Sequence, residues 1–96
     1  MFEEFVRRIK GLYDPQLFIL FGSRARGTAL TDSDYDLIIV SRLFEGIPYT
    51  DRMTPIYKLW NLKEGLECIC LTPGEFERAK DKISIVREAL KEGVLL

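Results

Sequence analysis

Asp32-Ser33-Asp34-Tyr35-Asp36 is where this sequence concentrates groups that could do chemistry. If the segment runs into a strand, alternation projects Asp34 and Asp36 from one face, side by side. Two carboxylates about 4 Å apart repel by roughly 4 kcal/mol at an effective dielectric near 20. Such a pair persists when it is exposed, when one acid is protonated, or when a cation sits between them. At the mouth of a buried strand, hard oxygen donors suit Mg2+ or Mn2+. A solvated turn whose aspartates bond to local backbone is the alternative, and the acids alone leave the two in balance.

Gly22-Ser23 adds a second feature, with ten residues between Ser23 and Asp34. A glycine there lets the backbone approach a ligand closely. Backbone N–H groups at the start of a short helix, together with the Ser23 hydroxyl, form an anion cradle. Arg24 and Arg26 bring fixed positive charge suited to phosphate oxygens, although Arg26 reads equally well as a surface helix residue. Taken singly, Gly-Ser is a common turn.

Together, Phe21-Gly22-Ser23-Arg24-Ala25-Arg26-Gly27 and Ser33-Asp34-Tyr35-Asp36-Leu37 resemble the signature of the minimal nucleotidyltransferases of the DNA polymerase beta-like superfamily. That pattern is Gly-Ser, ten residues, then Asp-x-Asp, and the likeness extends over almost the whole chain. The resemblance implies an α/β fold with a mixed sheet and the site at its edge. It also implies a third carboxylate on a neighbouring strand, for which Glu67 is the only acid within the third strand; the family usually has Asp there. The other reading of Glu67 is a strand-end side chain with its head in water. By the same resemblance, Asp34, Asp36 and Glu67 hold two Mg2+ ions, and Gly22, Ser23, Arg24 and Arg26 hold the nucleotide. The implied reaction moves AMP from ATP to an acceptor hydroxyl. Minimal members commonly act as antitoxins that modify a tyrosine of a helical HEPN toxin, and such a partner is expected here on resemblance alone.

The elements that must position these residues follow from apolar spacing. Phe2, Phe5, Val6, Ile9 and Leu12 predict an amphipathic helix ending near Gly11–Tyr13. Leu17–Phe21 is a continuous apolar run, the pattern of a strand buried on both faces in mid-sheet. A short helix is expected over Arg24–Ala29, then a strand over Tyr35–Val40. Thr54-Pro55 resembles a cap and first helical proline, with Tyr49 as the other candidate start. Gly65–Leu71 reads as a third strand. Thr72-Pro73-Gly74-Glu75 has the form of a capping box, followed by a helix with Phe76 and Ala79 inward. Ser84 is expected to cap a last helix carrying Val86, Ala89 and Leu90, with Val94–Leu96 returning as an edge strand. The fold class is therefore α/β (α+β): a mixed sheet of three to four strands flanked by helices, as one domain over residues 1–96.

Composition prunes the rest. The 96 residues include no histidine, which excludes a Ser-His-Asp triad and a His-ligated zinc. Cys68 and Cys70 are too few for a four-thiolate site and read as small apolar strand residues. A reducing, cytoplasmic setting is expected. No apolar run reaches the roughly 20 residues of a membrane span. A net charge of −1 offers no electrostatic drive toward nucleic acid or an anionic membrane. With so short a chain the acceptor platform is expected from another polypeptide or from self-association. Three further readings compete: a catalytically weak, nucleotide-holding antitoxin, favoured by Glu67 in place of Asp; transfer to a small molecule such as an aminoglycoside; and a structural role with the acids solvated.

Overall fold

The computed structural model describes residues 1–27 and 34–96. Helix α1 (Phe2–Tyr13) leads to strand β1 (Leu17–Phe21), the short helix α2 (Ser23–Arg26) and strand β2 (Tyr35–Val40). A single 3₁₀ turn (Arg42–Phe44) precedes α3 (Tyr49–Leu59), β3 (Leu66–Leu71), α4 (Pro73–Ala79), α5 (Ser84–Glu92) and the short β4 (Val94–Leu95). The strands form one mixed sheet in the order β3-β2-β1-β4. Strand β1 runs antiparallel to β2 and β4, while β2 and β3 run parallel.

Alternation along the strands divides the core in two. Phe18, Leu37, Ile39, Cys68 and Cys70 pack against Phe5 and Ile9 of α1 and Ile56 of α3. Ile19, Phe21, Ile38 and Val40 face the other way, onto Phe76 and Ala79 of α4 and Val86 and Ala89 of α5. Both faces of β2 are covered, which is why its last four residues can all be apolar and buried. The expected mixed sheet flanked by helices is met. Among the described residues, no helix is long and apolar enough to cross a membrane.

One helix takes the second of its two candidate starts, and another lacks its expected cap. Helix α3 begins at Tyr49, with Pro55 inside it rather than at its first turn. That proline costs the bond to the Asp51 carbonyl, but both residues lie on the exposed side, where solvent can satisfy the carbonyl. Helix α5 is preceded by Ile83, with no side-chain cap from Ser84, and Leu90 is exposed because the inward stripe is Val86 and Ala89. The expected helix over Arg24–Ala29 is described only to Arg26; residues 28–33, including Asp32 and Ser33, lie outside the described residues.

At the C-terminal end of β3 the two helical layers are clamped together. Arg52 of α3 is buried, donates to the carbonyls of Cys70 (3.0 Å) and Ile47 (2.9 Å), and meets Glu75 of α4 at 2.5 Å. Glu75 also closes the Thr72 capping box, accepting from the Thr72 N–H while the Thr72 hydroxyl accepts from the Glu75 N–H. Arg52 and these donors hold the Glu75 carboxyl down to about 2, from an ordinary 4.5. A lowered folded value means this stabilisation is complete above pH 4.5 and lost as pH falls through about 2. Glu75→Gln should remove that part of the acid transition. Removing one partner of a fully buried pair costs roughly 3–5 kcal/mol; with Glu75 one-third exposed, about 2 kcal/mol is expected at neutral pH, read from urea midpoints between pH 7 and pH 2.5.

Candidate active site

The other ends of the same strands carry the acids. Strand register places Asp36 beside Phe21 of β1 on one side and beside Glu67 of β3 on the other. Because side chains alternate, Asp34, Asp36 and Glu67 share the face occupied by Ile38, Val40, Ile69 and Leu71. Strand β1 stops at Gly22, whose φ of 78° and ψ of −160° lie in a region open essentially to glycine. A Cβ on Gly22 would overlap Asp36 Oδ2, so the carboxylate is seated directly against that backbone.

Burial is the largest influence on Asp36 and raises its carboxyl above the ordinary carboxylate range. The neighbouring charges of Glu67 and then Asp34 raise it further, and Arg26 opposes them. This is the like-charge crowding that a bound cation relieves. The donor set, all hard carboxylate oxygen, fits a divalent cation such as Mg2+. The acids are not pre-assembled for it: among the described residues, no three His, Cys, Asp or Glu side chains form a closed metal-binding group.

The two arginines part company. Arg24 lies over the Tyr35 ring, 4.2 Å from its centroid, and is 4.0 Å from Glu64. Tyr35 in turn stacks on Phe2 at 4.7 Å and meets Trp60 edge-on at 5.2 Å. Arg24 is thereby tied to the α1/α3 side of the sheet. Arg26 lies on the acid side, within the field of Asp36 and 3.6 Å from Glu92 of α5. In the turn itself, the N–H groups of Ala25 and Arg26 both donate to the Gly22 carbonyl at 3.1 Å. Ser23 takes the first position of α2, directly after Gly22.

Sequence reasoning assigned no role to Gly65. Its Cα sits against Asp34: a Cβ there would stand 2.5 Å from Asp34 Oδ1, and its carbonyl accepts from the Tyr35 N–H at 2.9 Å. A glycine opening a strand that neighbours an acidic one was the available signal, since strand glycines mark close backbone approach.

Two outcomes follow from this crowding. In chelator-treated protein at neutral pH, Asp36→Asn should raise stability by about 1 kcal/mol, or roughly 4–8 °C in melting temperature for a chain this size. A raised folded value means the Asp36 contribution is favourable below its ordinary 3.8 and lost as pH rises through the raised value, so the gain should vanish in acid. Gly65→Ala should move the Asp34 carboxylate and weaken Mn2+ binding about tenfold, measured by calorimetry, with little change in the far-ultraviolet circular dichroism.

The sequence profile of the nucleotidyltransferase domain matches residues 2–95. No curated protein matches the chain significantly. Among solved structures, a presumed nucleotidyltransferase from Sulfolobus solfataricus is 26% identical, with a TM-score of 0.64 over 97% of this chain and 73% of that one. BolA1 from Arabidopsis thaliana (20% identity, TM-score 0.61) and the BolA domain of Arabidopsis SufE1 (21%, 0.59) each cover 76% of this chain and are covered to 92%. At that identity they share the arrangement of strands and helices alone. With the Gly22 turn seated on Asp36 and a profile match spanning nearly every residue, the chain belongs to the nucleotidyltransferase domain family.

Proposed function

We propose that the chain transfers a nucleoside monophosphate, AMP from ATP, to an acceptor hydroxyl. The observation that carries this reading is the register that puts Asp36 between the Gly22 turn and Glu67. Asp34, Asp36 and Glu67 would hold two Mg2+ ions. When bound, such ions neutralise the polyphosphate and lower the pKa of an attacking hydroxyl. The rest falls to the chain. Ser23 and the adjoining backbone orient the terminal phosphates, and Arg26 offsets charge that develops on the leaving pyrophosphate. The acceptor oxygen bonds to the α-phosphorus as the bond to pyrophosphate breaks, and the acceptor proton passes to solvent. Arg24, braced by Tyr35, contributes by holding α2 in place as well as by its charge.

The acceptor in this proposal is a tyrosine of a helical partner protein of the HEPN toxin type, which would make the chain an antitoxin. A second reading has one observation in its favour: the three acids do not stand in a closed group. On that reading the protein holds nucleotide and binds its partner without catalysis.

Incubation with α-labelled ATP, Mg2+ and the candidate partner separates the two. Label on a partner tyrosine is expected, and Asp34→Ala or Asp36→Ala should reduce it to background while the protein stays folded; label retained in both variants would remove the mechanism. A tight complex with no label in wild type would establish the second reading. Ser23→Ala should weaken ATP binding by about tenfold, near 1.4 kcal/mol for a hydrogen bond to a charged group, with Mn2+ affinity unchanged; calorimetry reads both.

A further inference from the structure

A cavity of about 300 Å3 lies between the Gly22 turn and α5. Phe21, Gly22 and Arg26 line one side, and Ile85, Glu88 and Glu92 line the other. Val86 and Ala89 hold α5 against the sheet. Ile85, Glu88 and Glu92, spaced three and four apart, therefore share an adjacent stripe that forms the cavity wall. We infer that this cavity receives the nucleoside of the triphosphate, the sugar and base that extend from phosphates held at the Gly22 turn. The inference rests on the proposed nucleotide role of that turn.

Position is the first argument, because Gly22 and Arg26 belong to both the turn and the cavity. A phosphate chain seated at one therefore adjoins the other. The wall chemistry is the second. Two glutamates repel a polyphosphate but accept hydrogen bonds from ribose hydroxyls and from a base amine. Phe21, Ala89 and the half-exposed Ile85 give an apolar surface that suits a flat ring and not a hydrated cation. Size is the third: the volume is at the lower end of the roughly 300–1,000 Å3 of small-molecule sites, enough for one sugar and one ring system. The Arg26–Glu92 ion pair across the cavity is half exposed, so an arriving phosphate displaces Glu92 from Arg26 at little cost.

Affinities for ATP and for inorganic tripolyphosphate, measured on the full chain by calorimetry in one Mg2+ buffer, separate nucleoside from phosphate. Wild-type protein should bind ATP about tenfold more tightly, the equivalent of about 1.4 kcal/mol. Ser84 also lines the cavity; Ser84→Trp, which fills it, and Ile85→Asp should each bring ATP down to the tripolyphosphate level and leave tripolyphosphate affinity unchanged. An ATP advantage intact in both folded variants, or none in wild type, overturns the cavity assignment and leaves the turn as a phosphate site. If wild type binds neither compound, the reading of the turn itself fails, and this inference with it. Photolabelling of unaltered protein with 8-azido-ATP gives an independent measurement. Label on the Ser84–Glu92 peptide is expected, and label confined to other peptides overturns the assignment.

Discussion

Like charges gathered at one end of a sheet are the constraint around which this small protein is built. Asp34, Asp36 and Glu67 share a face because β2 runs parallel to β3 with Asp36 opposite Glu67. A shift of one residue in that pairing would send the acids to opposite faces and the apolar residues with them. The register is held by four consecutive buried positions, Leu37 to Val40, each committed to one of two cores. Apolar packing thus sets the positions of the carboxylates, and their repulsion is sustained by cohesion elsewhere.

The opposing end of β3 shows how that cohesion is supplied. Arg52 and Glu75 tie α3 to α4 around the strand's C-terminal end, with the Thr72 capping box closing the same junction. Charge is satisfied there by an opposite charge and by backbone carbonyls. At the acid end the opposing charge among the described residues is Arg26, and Asp36 is still left with a carboxyl raised by burial and by its acidic neighbours. Among the described residues, the sheet therefore carries a directly paired charge cluster at one end and a crowded acidic one at the other. Glycines complete the contrast: Gly22 and Gly65 are placed so that carboxylates can lie directly on backbone.

Much of this was legible in the chain. The apolar run Leu17–Phe21, the Asp-x-Asp entry into Tyr35–Val40 and the Thr72–Glu75 capping box are local patterns with local causes, and they were met closely. What escaped notice depends on neighbours distant in sequence. Of the two candidate starts of α3, Pro55 had the first-turn preference of proline, yet the helix begins at the other, Tyr49, and extends through Pro55 on its wet side. Arg24 and Arg26 both read as phosphate partners, Arg26 with a surface alternative, and the positions of Tyr35 and Glu92 divide them between the two faces. The role of Gly65 and the cavity beside α5 arise from contacts between elements: a strand-opening glycine hints at the first, and no short pattern announces the second.

The central claim is that Asp34, Asp36 and Glu67, at the entry to β2 and β3, close on divalent cations beside the Gly22 turn. Anomalous diffraction from crystals soaked with Mn2+ and a non-hydrolysable ATP analogue tests it most directly. The expected map has Mn2+ peaks bonded to Asp34, Asp36 and Glu67, with the triphosphate reaching Ser23. Peaks elsewhere, or Glu67 turned to solvent with the metal bound without it, would contradict the claim.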